Sequence, residues 1–337
     1  MRKIGGFTVF AVFVLFAPLT LAAETSLFRI GTGGIGGTYY PIGQSIAAAI
    51  SNPKSKSDCA SDPCGVPGLL AIGETSNGSV ANIASMKSGY LESGFTQSDI
   101  AHWARTGTGI YEGEPAFPKV LGIASLFKES IHLVVHKDAG IKRVHDLVGK
   151  RVSLDDPGSG TLVDARILLN AYGISEADMM VQYIKPAEAM KKMRKGELDA
   201  FFFIAGYPSK AITELSNEKI ISLIDIAGTP ASRIISENSF FSHQIIPAGS
   251  YPGLGEVRTL GLAALWVVQE DVSEELVYNI TKSFWKNLPA QLTASSHPKL
   301  AEITLDKAYS SLCIPLHPGA RKFYEDAGLI PREQHSN

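Results

Sequence analysis

Apolar runs of strand length alternate with stretches of helical length over most of this chain, and that alternation constrains the fold more than any other feature. Between 120 and 226, the runs 120–126, 131–136, 150–154, 181–184, 198–204 and 220–226 read as strands, the first two consecutive. Helical stretches at 162–172, 186–195 and 209–216 separate the others. The N-terminal part repeats the plan, with strands at 28–30, 70–74 and 91–97 and helices at 42–50, 79–87 and from Ser98 or Asp99 onward. From Leu260 the chain returns to a strand, a helix at 273–287 and a helical tail. Strands separated in this way predict an α/β fold with largely parallel sheets. The middle of the chain is a compact unit by itself, so two lobes are expected: 24–119 plus 227–337, and 120–226. Such a layout places a ligand cleft between the lobes.

The chain start fixes the compartment that this fold is expected to serve. Residues 1–3 are basic, 5–19 are almost uniformly apolar and 20–23 are small, the three-part pattern of a secretory signal. The apolar stretch is short for a bilayer span, and no Cys near residue 23 offers a lipid anchor. A mature chain starting near Glu24 and facing an oxidising, extracytoplasmic space is expected. The formal charge of −2, or −4 without Arg2 and Lys3, makes no nucleic-acid surface. Outside the cytoplasm a local disulfide between Cys59 and Cys64, across CASDPC, is expected. Closing so small a loop stabilises by about 2–3 kcal/mol. A metal held by that pair would lack a nearby histidine. Cys313, between Leu312 and Ile314, reads as a buried apolar residue.

Three segments share one device. G31-T-G-G-I-G-G37 follows a strand and opens a helix, with Thr38, Tyr39 and Tyr40 behind it and Pro41 in the first helical turn. Its spacing invites a dinucleotide fingerprint, but no acidic residue stands at a strand end about twenty positions on. The alternative is a tight turn that exposes amide donors to a small anion at a helix start. T75-S-N-G-S-V-A-N82 clusters Thr75, Ser79 and Asn82 at the next helix start, more polar groups than one cap requires. D155-D-P-G-S-G-T161 repeats the pattern in the other lobe with Ser159, Gly160 and Thr161; without a following Lys it is not a P-loop. Gln97 and Gly206 end strands, where open sheets bind ligands.

Catalysis finds little support. No GxSxG elbow places a serine, no HExxH places a metal, and the histidines are scattered. His132 and His136 share a strand face about 13 Å apart, too far for common ligands. No cofactor or metal is expected.

Set in order, GGIGGTYYPIG, GSVAN, SGFTQSDIAHWA, the KES before IHLVVHKDAGI, DLVGKRVSLDDPGSGT, GELDAFFFIAGYP and PLHPGARKFYEDAGL resemble the TAXI-type solute receptors. These are the periplasmic components of tripartite ATP-independent periplasmic (TRAP) transporters. The resemblance covers most of the mature chain. Two departures stand out: a longer cysteine loop, and Asp155-Asp156 where a glycine more often begins the turn. The resemblance implies a two-lobe, class II type periplasmic binding protein fold that closes on a small organic anion, such as glutamate, glutamine or 2-oxoglutarate. It implies delivery to integral membrane TRAP permease subunits driven by an ion gradient, by a monomer with no catalytic role. Its site would draw on Gly37, Thr38, Tyr39, Tyr40, Thr75, Ser79, Asn82 and Gln97 in one lobe and Ser159, Gly160, Thr161 and Gly206 in the other. A receptor reporting to a membrane sensor would carry the same features, and a secreted hydrolase would need a nucleophile that the sequence does not offer.

Overall fold

The computed structural model describes residues 25–53, 64–294 and 297–332. The expected signal segment and Cys59 lie outside the described residues, and with Cys59 the expected disulfide. One ten-stranded sheet runs through the molecule in the order Leu69–Glu74, Ser26–Gly31, Ser93–Gln97, Val257–Gln269, Val120–His136, Ala200–Ala205, Arg151–Ser153, Met180–Gln182. Ile221–Ile224 and Ser242–Ile246 pair off this path, with Val120–His136 and Val257–Gln269 respectively.

The outer thirds of the sheet are parallel, as the strand–helix alternation requires. Ser26–Gly31 pairs in parallel with both of its neighbours, and Arg151–Ser153 does the same in the other half. The centre is antiparallel, built by the two long strands Val120–His136 and Val257–Gln269. The two consecutive strands expected at 120–126 and 131–136 are in fact one strand of 17 residues. The charged Lys128-Glu129-Ser130 reads as a break, yet it stays in register with Gly261 to Ala263. Lys128 is exposed and Glu129 buried, so the alternation of faces accommodates both charges.

Helices cover the sheet because their apolar faces have nowhere else to go. Ile42 and Ile46 of helix Tyr39–Ile50 are buried with Phe28, Phe95, Trp266 and Phe284 in the first half. Leu168 and Leu169 of helix Gly160–Ala171 are buried with Leu133, Val152 and Phe202 in the second. Each such side chain contributes roughly 1.5–3 kcal/mol by leaving water. Sequence order assigns the stretch after 227 to the first lobe. Its buried residues Ala231, Ile234 and Phe241 instead share a core with Leu133 and Phe202. Ile246 and Tyr251 likewise pack with Phe201 and Phe203. Helix Glu274–Ala294 then carries the chain back to the first half, continuing through Pro289 beyond its expected end. Tyr324 of the final helix Pro318–Asp326 donates to the Ile123 carbonyl at 2.9 Å, fastening the C-terminal part to the central strand.

Candidate functional site

Four helices begin at one cavity. They are Tyr39–Ile50 and Ser79–Lys87 from the first half, and Gly160–Ala171 and Pro186–Arg194 from the second. The cavity of about 250 Å3 is lined by residues at each of these starts: Gly37 to Tyr39, Gly78 and Ser79, Ser159 to Thr161, and Lys185 to Ala187. First-turn amides have no partner within their own helix, and helix dipoles add positive potential there. Sequence places them so because each helix follows a strand by a short turn, which puts all four starts at the same edge of the sheet.

The two halves touch around the cavity. Thr38 Oγ1 donates to the Gly206 carbonyl at 3.2 Å, Asn77 Nδ2 to Pro157 O at 3.0 Å, and the Ala81 amide to Gly158 O at 2.9 Å. Gln97 Nε2 donates to Asp164 Oδ2 at 3.1 Å. The conformation is closed.

Of the expected residues, Gly37, Thr38, Tyr39, Ser79, Gln97, Ser159, Gly160 and Thr161 line the cavity. Several are committed to the frame of the site. Ser79 Oγ accepts from the Gln97 amide at 3.1 Å, Thr161 Oγ1 from the Ile204 amide at 3.3 Å, and Ser159 Oγ caps its helix through the Leu162 amide. Tyr40, Thr75, Asn82 and Gly206 stand outside the lining. Thr75 is exposed and Tyr40 half-buried. Asn82 is an internal brace: its Nδ2 donates to the carbonyls of Thr32 and Phe95, both at 2.7 Å. Gly206 reaches the site only through its carbonyl, under Thr38.

The carboxyls are what sequence reasoning missed. Glu129, Asp155 and Asp156 line the cavity, and each is at least nine-tenths buried. Glu129 Oε2 accepts from the Tyr39 hydroxyl at 2.7 Å. Burial pushes Glu129 up to about 8, partly offset by the Tyr39 bond. Burial pushes Asp155 up to about 8 as well, against the hydrogen bond from the Asp156 amide. Asp155 has φ 75, a left-handed backbone that costs a non-glycine residue about 1–2 kcal/mol. Behind Gln97, burial raises Asp99 to about 6 and Asp164 well above the carboxylate range. The signal for Glu129 lay in KES, where a charge interrupts an otherwise apolar strand.

No reactive group stands out. Burial pushes His132 down to about 4, so it is a neutral brace, bonded to the Phe203 carbonyl and to the Tyr251 hydroxyl at 2.8 Å. Burial pushes the Cys313 thiol up to about 12, and its Sγ donates to Ser98 O. Among the described residues no group of three or more His, Cys, Asp or Glu has the arrangement to hold a metal ion, and no helix is long and apolar enough to cross a membrane.

Two α/β halves, crossed by shared central strands and closed on a cavity at their helix starts, define the two-lobe fold of periplasmic binding proteins. The chain belongs to the NMT1-like family, whose model matches residues 30–328. Among solved structures, a protein of Bordetella bronchiseptica RB50 aligns over 91% of both chains at 15% identity, with a TM-score of 0.51. The alkanesulfonate-binding protein SsuA from Xanthomonas axonopodis pv. citri, bound to MOPS, aligns over 92% of this chain and 96% of its own, at 16% identity and a TM-score of 0.47.

Proposed function

We propose that this chain is an extracytoplasmic solute receptor of TAXI type, which closes on a small organic anion and delivers it to an ion-gradient-driven TRAP permease. The observation that carries the reading is the convergence of four helix starts, two from each half, on one cavity. Such starts favour a carboxylate, and a cavity of about 250 Å3 lies below the range of drug-sized ligands and suits a small metabolite. Glutamate, glutamine or a dicarboxylate such as 2-oxoglutarate are the candidate ligands. The ordered segments that resemble TAXI-type receptors support the transporter assignment, and the signal-like start supports the periplasm. The receptor acts as a monomer without a cofactor and carries a Cys59–Cys64 disulfide. Its lobes divide within the two long strands, with residues 229–257 moving with the second lobe. Titration calorimetry of the purified chain, stripped of retained ligand, tests the reading against amino acids, dicarboxylates and sulfonates. One-to-one binding by a member of the panel is expected; binding by none, with the fold intact, refutes it.

A further inference from the structure

We propose that Asp99 and Asp164 form a proton-operated latch between the two halves: closing takes up a proton at this pair, so acid favours the closed, ligand-holding form and proton loss favours release. The ligand part of the inference rests on the receptor reading above; the latch itself does not.

The pair lies in an apolar seam that closing creates. Asp99 stands in the first turn of helix Ser98–Thr106 in one half, and Asp164 one turn into helix Gly160–Ala171 in the other. Around them Ile100, Ala101 and Ala104 of the first helix share a core with Val163 and Ile167 of the second. Asp99 is 0% and Asp164 1% exposed. Both Asp99 oxygens and Asp164 Oδ1 lack a hydrogen-bond partner among the described residues, although the amides of Asp99 and Ile100 lie near the Asp99 carboxyl. Two carboxylates offer each other no donor, and a proton held between them supplies one. With the halves apart the same carboxyls meet water and ionise near pH 4.

The pair also reaches the cavity. Asp164 Oδ2 accepts from Gln97 Nε2 at 3.1 Å, and Gln97 ends a strand of the first half and lines the cavity. Asp164 is thus a positioning residue that acts on the ligand through Gln97.

Nothing packed on the pair replaces the proton. Tyr39, Tyr111, Glu129 and Cys313 face Asp99, and Glu129 also acts on Asp164; all four are acids. His102, on the same helix as Asp99, turns to the Cys313 carbonyl. Lys299 acts on Glu129 and is held by Glu302. Burial raises Asp99 to about 6 and Asp164 well above its usual range in the closed form. Values raised on closing mean that closing binds protons and weakens as pH rises. Glu129 and Asp155, both about 8 in the cavity, act in the same direction, so only a variant of the pair isolates the latch.

The test uses the stripped full chain at pH 5 and pH 7 with two readouts. Small-angle X-ray scattering without ligand should show a more compact wild type at pH 5. Calorimetry with L-glutamine, which keeps one charge state over this range, should show at least about tenfold tighter binding at pH 5 with proton uptake. Asp99→Asn supplies a permanent donor to Asp164 Oδ1. It should at least halve the scattering difference, cut the affinity ratio below about threefold and take up about one proton fewer. A merely structural defect would weaken binding at both pH values and leave the ratio unchanged. Equal compactness of the wild type at both pH values, or the full pH step retained in Asp99→Asn, overturns the latch and leaves the receptor reading standing. Should Asp99→Asn fail to fold, Asp164→Asn, which keeps an acceptor for Gln97, takes its place; should both fail, the wild-type scattering decides. Without L-glutamine binding, scattering of wild type and variant decides the latch, and the wider ligand panel decides the receptor reading.

Discussion

Asp99 and Asp164 sit on helices of opposite halves, Ser98–Thr106 and Gly160–Ala171, with their carboxyls within hydrogen-bonding reach of each other. Neither Asp99 oxygen has a well-formed hydrogen bond from a side chain, although the amides of Asp99 and Ile100 lie close enough to hold its rise in check. Burial and the neighbouring Asp99 raise Asp164 well above the carboxylate range, so the pair favours holding one proton, the situation of two acids sharing a site. The closed form thus favours a proton where the lobes meet.

A pH dependence follows. Asp99 is raised to about 6, and Glu129 and Asp155 to about 8, all above their unfolded values. These three carboxyls bind more protons folded than unfolded between about pH 4 and 8, so their contribution to stability is lost as pH rises through the folded values. Buried His132, whose folded value is depressed to about 4, opposes them below about pH 6.5. The ligand-free protein should melt at least about 3 °C lower at pH 8 than at pH 5. Asp99→Asn should flatten the step near pH 6; a wild-type curve that rises over this range contradicts the proton sharing.

Replacing Tyr39 by Phe removes the donor to Glu129 and leaves a buried acceptor unmatched. A loss of about 1–3 kcal/mol in urea unfolding is expected. The ring itself still packs against Phe95, with centroids 5.5 Å apart, so the fold should survive. No change in stability would separate Tyr39 from the carboxyl.

A Cβ on Gly160 would lie 1.4 Å from Gln97 Oε1, so the buried Gln97 side chain would have to leave its place and its bond to Asp164 for the two halves to meet. Gly160→Ala should weaken ligand binding at least 100-fold while melting separately shows a folded chain. Gly255→Ala, which meets nothing within 4 Å, is the control and should be neutral.

Ser79→Ala and Thr161→Ala each strip an acceptor from a backbone amide in the cavity wall. Both should weaken binding by roughly 1–2 kcal/mol by calorimetry. Asn82→Ala should act differently, lowering stability by about 1–3 kcal/mol through two lost buried hydrogen bonds, with affinity unchanged in the folded fraction. An affinity loss for Asn82→Ala without a stability loss would return it to the ligand site.

The helix starts were legible because they depend on local chemistry. Asn77-Gly78 and the apolar spacing after it define helix Ser79–Lys87 to the residue. Composition could not say which way a side chain faces, so exposed Thr75 and bracing Asn82 read the same as Ser79. Glu129 escaped because its burial depends on a strand crossing between halves, paired with residues more than 130 positions later. Residues 229–257 escaped for the same reason: their packing partners are remote in sequence.

Native mass spectrometry of the freshly purified chain tests the central claim most directly. A single small organic ligand, one per chain and lost on denaturation, is the predicted result. A bare chain that also binds no amino acid, dicarboxylate or sulfonate would contradict it.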